Sequence, residues 1–344
     1  MKVVVLKGHG RGITQLKFNR EGDLLFSVSK SKEINLWRAS DGERLGTYHG
    51  HNGAVYAVDI NRKSTRMITA GADNKAKVWD IEEGVELYSI NLQTPGRAIE
   101  FAQGDKKFMV ATDSVMGFFA NILIFPFSEE TSGLSNAPLA TISLSPSRVK
   151  VLDLAWGPLN KNIFASTDNG KVLVYDSESL EKVHEICDNA RDSEVKRLTT
   201  SKDRMCILTA CTDKTARLYD TRTFKQIKLY ETGRPCNSAD IYPTPELDHI
   251  LLAGGQGADQ VTTTRVDPAQ FASRVHHKIF QEELATIPGH FGPVNDVRYN
   301  PNGRSFATGG EDGYVRLNIL DDEYFKGLNN EVYFAKLNNR VALR

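Results

Sequence analysis

The chain has 344 residues, 40% hydrophobic and 25% charged, with 43 lysines plus arginines against 43 aspartates plus glutamates. That length and composition suit one large all-β unit or two average domains, either with a sizeable core. Zero net charge argues against strong nonspecific nucleic-acid binding, which needs a basic surface, and four scattered cysteines (Cys187, Cys206, Cys211, Cys236) make neither a disulfide framework nor a zinc ribbon.

In chain order, KVVVL at Lys2–Leu6 reads as a lone strand, too short an apolar run for a signal peptide. GHGRGITQLKFNREGDLLFSVSKSKEINLWR follows, from Gly8 to Arg38. GHNGAVYAVDINRKSTRMITAGADNKAKVWD, from Gly50 to Asp80, aligns with it without a gap. His9 falls on His51, Ser27 on Thr69, Ser31 on Asp73 and Trp37 on Trp79. The most apolar stretch, Val115–Phe127, is broken by Asn121 and Pro126 and falls short of the ~20 residues of a membrane span. A soluble cytoplasmic protein with reduced cysteines is the expectation.

The template returns at residues 190–220, where Arg191 replaces the histidine but Thr209, Asp213, Tyr219 and Asp220 keep register. It returns again with His290, Thr308 and Asp312, while Asn318 stands where tryptophan is expected. Each unit reads as short β-branched strands separated by turn residues. Four strands per ~40–45 residues, Gly-His early and Trp-Asp late, resemble the blades of WD-repeat proteins.

The Trp-equivalent positions Trp37, Trp79, Tyr175, Tyr219 and Asn318 are spaced by 42, 96, 44 and 99 residues. Two spacings are double, so each hides a degenerate blade, one near NILIFPF and one near QVTTTRV. The expectation is an all-β, seven-bladed WD-repeat β-propeller over residues 1–325, with a tail at 326–344. Its repeats fall near 8–48, 50–90, 91–144, 145–186, 189–230, 231–287 and 288–320. The last repeat lacks a fourth strand, and Lys2–Leu6 is expected to supply it and so remove an open sheet edge.

His51, Thr69, Asp73 and Trp79 tempt a catalytic reading. Their recurrence across repeats favours architecture instead, since an active site is usually built once. In WD-repeat families such residues form a hydrogen-bonded chain that satisfies buried polar groups. No H-E-x-x-H, G-x-S-x-G or Walker A motif is present, and no residue set suggests an active site, a metal centre or a cofactor. GGQGADQVTTT, from Gly254 to Thr264, lacks G-K-[ST] and has no helix signal after it, so it reads as the turn between the second and third strands of blade six.

Asp203 in the first turn of blade five and Asp220 at the end of its third strand should share one rim. Asp248 in the first turn of blade six is a candidate neighbour. Read alone, these are either solvated turn carboxylates or an acidic surface for a basic helix, and the residues leave both open.

The last third narrows the family. GGQGADQVTTT, HHKIFQEELATIPGHFGPVNDV and FATGGEDGYVRL resemble the family of subunit i of eukaryotic translation initiation factor three, as do LKGHGRGITQLKFNREGDLLFSVSKSKEINLW and DGERLGTYHGH. The resemblance covers almost the full length, the tail after Phe325 matching poorly. It implies a noncatalytic scaffold that binds subunits b and g of the factor. Through the complex it implies contact with the small ribosomal subunit and support of mRNA and initiator-tRNA recruitment and of scanning. A helical segment of subunit b is implied on blades five and six, at positions matching Asp203 and Asp220. Gln256 matches a family position at the opposite end of blade six. The alternatives are a WD-repeat adaptor of a signalling or ubiquitin-ligase complex, a nucleotide binder or enzyme using the 254–264 loop, and direct RNA binding.

Overall fold

The computed structural model describes residues 1–130, 133–190, 192–255, 271–322 and 324–325. Among them, seven four-stranded antiparallel sheets form a seven-bladed β-propeller. The first strands of successive blades are β2 (Ile13–Phe18), β6 (Val55–Ile60), β10 (Gly96–Phe101), β14 (Val151–Trp156), β18 (Val195–Thr200), β22 (Cys236–Ile241) and β26 (Val294–Tyr299). Each touches the first strand of the next blade, and β26 touches β2, which closes the ring. Blade seven is completed by β1 (Lys2–Lys7), antiparallel to β28 (Tyr314–Ile319), with Lys2 opposite Ile319 and Lys7 opposite Tyr314. The N-terminal strand therefore covers the edge that β28 would otherwise expose.

The core lies between the blades. Seven clusters of buried apolar side chains each join two neighbours, such as Phe26 and Val28 of blade one with Val58, Met67 and Trp79 of blade two. Alternation explains this, because successive strand residues face opposite sides of a blade and both sides are covered.

The inner strands are also stitched by polar side chains. Gln15 accepts from the Val58 N–H at 2.7 Å, Asp59 from Phe101 at 2.7 Å, and Glu100 from Trp156 at 2.7 Å. Asp153 accepts from Leu198 at 2.9 Å, Asp240 from Tyr299 at 2.6 Å, and Asp296 from Leu16 at 2.8 Å. Only between blades five and six does the pattern change, with Thr199 Oγ1 donating to the Ala239 carbonyl at 2.7 Å. Arg197 Nη2 donates to the Thr14 carbonyl at 2.8 Å, from blade five to blade one.

In blade six the third strand is β24 (Ser273–His277), paired with β23 (His249–Gly254). His249 opposite His277 and Ile250 opposite His276 are all buried, so β24 packs two imidazole rings against β23. Residues 256–270, with Gln256 and most of GGQGADQVTTT, lie outside the described residues.

Candidate functional site

In blade two, the Trp79 indole N–H donates to Thr69 Oγ1 at 2.8 Å. Thr69 Oγ1 also meets His51 Nε2 at 2.8 Å, and His51 Nδ1 meets Asp73 at 2.9 Å. An ionised carboxylate only accepts, so Nδ1 carries the hydrogen and Nε2 accepts from the threonine hydroxyl. Burial opposes ionisation of Asp73. Hydrogen bonds from His51 and the Asn52 N–H outweigh it, and the carboxyl lies below its usual range. All four side chains find hydrogen-bond partners within the blade.

The set varies between blades. Blade seven keeps His290 with Thr308 at 2.8 Å and Asp312 at 3.1 Å, but Asn318 Nδ2 turns to the Arg316 carbonyl at 3.4 Å. In blade one Ser31 replaces the aspartate, and His9 Nδ1 is buried without a partner. Burial, with the Arg44 charge, lowers the His9 pKa to about 4. In blade five Asp213 is held by Arg217 at 2.9 Å, and Arg191 lies outside the described residues.

The candidate docking rim is built by the turns of blades five and six. The segment 201–205 links β18 to β19 (Cys206–Cys211), and 221–225 links β20 (Thr215–Asp220) to β21 (Gln226–Glu231). Antiparallel pairing puts Cys206 opposite Asp220, so both turns emerge at one end of the blade. Asp203 Oδ1 accepts from the Ser201 hydroxyl at 2.5 Å and the Met205 N–H at 3.0 Å. Asp220 Oδ1 accepts from the N–H groups of Arg222 and Thr223, both at 2.8 Å.

These bonds have an electrostatic result. The Ser201 hydroxyl and Met205 N–H hold the Asp203 carboxyl below its usual range, and the Thr223 and Arg222 N–H groups do the same for Asp220. Both are anionic at neutral pH. From blade six, the Lys278 ammonium lies 3.8 Å from Asp248 and within electrostatic range of Asp203. The structure thus brings Asp203, Asp220 and Asp248 to one rim. Met205 and Ile279, 38% and 48% exposed, add apolar surface beside the carboxylates.

Two features of this rim were not singled out from the sequence. Lys278 links the two blades, and only the blade-six pairing places it. Cys206 occupies the position that Arg66 holds in blade two, where Arg66 Nη1 pairs with Asp80 at 2.6 Å. The aligned repeats carried that second signal, since Asp80 and Asp220 are in register and their cross-strand neighbours differ.

Among the described residues, no group of three or more His, Cys, Asp or Glu side chains could hold a metal ion, and no helix is long and apolar enough to cross a membrane.

The sequence matches the family described as EIF3I over residues 1–328. It is 43% identical to eukaryotic translation initiation factor 3 subunit I of Dictyostelium discoideum, over 97% of this chain and 98% of that protein. It is 41% identical to the subunit I of Drosophila willistoni, over 94% and 99%. Identity to the subunit I of Taeniopygia guttata is 39%, over 95% and 98%.

Proposed function

The chain belongs to the family of subunit I of eukaryotic translation initiation factor 3, and from that premise we propose that it is a noncatalytic scaffold subunit of that factor. In this reading it works in the cytoplasm and binds subunits b and g. Through the complex it supports recruitment of mRNA and initiator tRNA to the small ribosomal subunit, and scanning. A closed ring of blades held by inter-blade cores keeps its turns in fixed positions, so several partners can bind one rigid body at once.

The proposed contact for subunit b is the rim of blades five and six. What supports it is the charge arrangement: Asp203 and Asp220 are fixed by their own turns, and Asp220 lacks the cross-strand cation that neutralises Asp80. With Met205 and Ile279 alongside, the surface suits a helix that is basic on one side and apolar on the other. Asp248 is proposed for the same surface, and Gln256, outside the described residues, for a separate contact.

The test is a double charge reversal, Asp203→Lys with Asp220→Lys, read by capture of recombinant subunit b. Lost capture with an unchanged circular dichroism spectrum is expected. Full retention of subunit b by the folded variant refutes this docking surface.

A further inference from the structure

A second feature lies between blades three and four. A cavity of about 480 Å³ opens there. One wall is the end of β13 (Ala140–Ser143) with the linker that follows, and the other is built from side chains of and beside β16 (Val172–Asp176) and β17 (Lys182–Ile186). The linker wall is a row of hydroxyls, since Thr141, Ser143, Ser145 and Ser147 line the cavity at every second residue. Within β13 that spacing puts Thr141 and Ser143 on one face of the strand. The blade-four wall is cationic. Lys171 Nζ lies 2.5 Å from one oxygen of Glu185, and Lys182 Nζ lies 2.8 Å from the other. Among the described residues that line the cavity Glu185 is the one carboxylate, so two ammonium groups share a single negative charge. Their hydrogen bonds hold its carboxyl at about 2, well below the usual range.

The linker is held beside those lysines. At its start the Leu144 N–H donates to the Ala120 carbonyl at 3.0 Å, and the Ser147 N–H donates to the Leu144 carbonyl at 2.9 Å, closing a turn. Three residues on, the Lys150 N–H donates to Asp168 Oδ1 at 3.0 Å, and the Asp168 N–H donates to the Lys150 carbonyl at 3.1 Å. Asp168 lies in the connection between β15 (Asn162–Thr167) and β16 that also carries Lys171. Residues 145–148 themselves are exposed, with Ser147 next to Arg148. The turn therefore offers a serine hydroxyl to an enzyme in solution, while the chain on either side is fixed near two ammonium groups.

We propose that Ser147 is a phosphorylation site whose phosphoryl group bridges the cavity to Lys171 and Lys182. A serine/threonine kinase supplies the group. The terminal P–O bond of ATP breaks, a bond from phosphorus to Ser147 Oγ forms, the hydroxyl proton passes to the catalytic base of the kinase, and ADP leaves. The product carries a charge of about −1.5 to −2 at neutral pH and three acceptor oxygens. Lys171 and Lys182 already converge on Glu185, one on each oxygen, and bonds from ammonium to phosphate are of the stronger, charge-assisted kind. Arg148 adds a third cation beside the modified residue. The modification ties the blade-three linker to the outer strands of blade four and fills the crevice between them. It stands apart from the docking rim of blades five and six and does not rest on that reading.

The test has two arms, both on the full chain. Phosphopeptide mapping of the chain recovered from cells that express it should place phosphate on Ser147. Ser147→phosphoserine, installed by genetic code expansion, should titrate in ³¹P NMR below the ordinary second pKa of about 6. Two partly exposed ion pairs raise the acid dissociation constant by about two- to thirtyfold. Lys171→Gln with Lys182→Gln should abolish most of that change while the circular dichroism spectrum is unaltered. Lys182→Gln alone, at a half-exposed position, should abolish part of it and serves if the double variant unfolds. Mapping that finds Ser147 unmodified overturns the site, whether the phosphate is absent or sits on Ser143 or Ser145. A phosphoserine that titrates at about 6, or whose titration is indifferent to these substitutions in folded protein, overturns the bridge.

Discussion

Cys206 stands directly across the strand pair from Asp220, where blade two sets Arg66 across from Asp80 at 2.6 Å. One substitution between aligned repeats therefore turns a neutralised carboxylate into a free one. Cys206→Arg should rebuild the ion pair and blunt the rim. Subunit b affinity, measured by titration calorimetry, is expected to fall by up to about fivefold, because exposed pairs are worth about 0.2–1 kcal/mol each. Unchanged affinity removes Asp220 from the contact.

Subunit b binding should weaken with added salt, since the rim carboxylates are solvent-facing and screened within about 8 Å at physiological ionic strength. Reversing Asp203 and Asp220 should flatten that dependence. An affinity indifferent to salt points to an apolar contact through Met205 and Ile279 instead.

Histidines at equivalent positions should differ in value. His51 has both ring nitrogens partnered, whereas His9 Nδ1 has none. His51→Ala leaves Asp73 and Thr69 each short of a buried partner and should cost roughly 3 kcal/mol, against about 1–2 kcal/mol for His9→Ala. Urea denaturation of both variants checks the order, and equal losses contradict it.

Burial raises the Glu100 carboxyl to about 6 although Arg204 opposes the shift. Between its ordinary value near 4.5 and about 6, the folded chain holds a proton that the unfolded chain has released. The stability contributed by this group is therefore greatest below pH 4.5 and declines as pH rises through about 6, by roughly 2 kcal/mol. Glu100→Gln keeps an acceptor for the Trp156 N–H without the titration. The stability of wild type relative to this variant should fall over that pH window, and parallel pH profiles refute the assignment.

Deleting residues 1–7 should leave blade seven with three strands, an unpaired β28 edge and no Leu6 in the core. Aggregation in size-exclusion chromatography is expected. A soluble monomer would show that the ring does not need this closure.

The sequence by itself determined the repeat, the number of blades and the strand that closes the ring. Those follow from local signals: turn residues at fixed offsets, strand alternation, and a double spacing wherever a blade loses its tryptophan. It also brought Asp203, Asp220 and Asp248 to one end, because antiparallel strands fix which turns share a rim. Only the tertiary structure decided the bounds of the third strand of blade six, β24, whose His276 and His277 are buried beside β23. The inter-blade bonds from Asp59, Glu100, Asp153, Asp240 and Asp296 were equally hidden. Each joins residues some forty or more positions apart, and periodicity within one repeat carries no record of what the next blade places beside it.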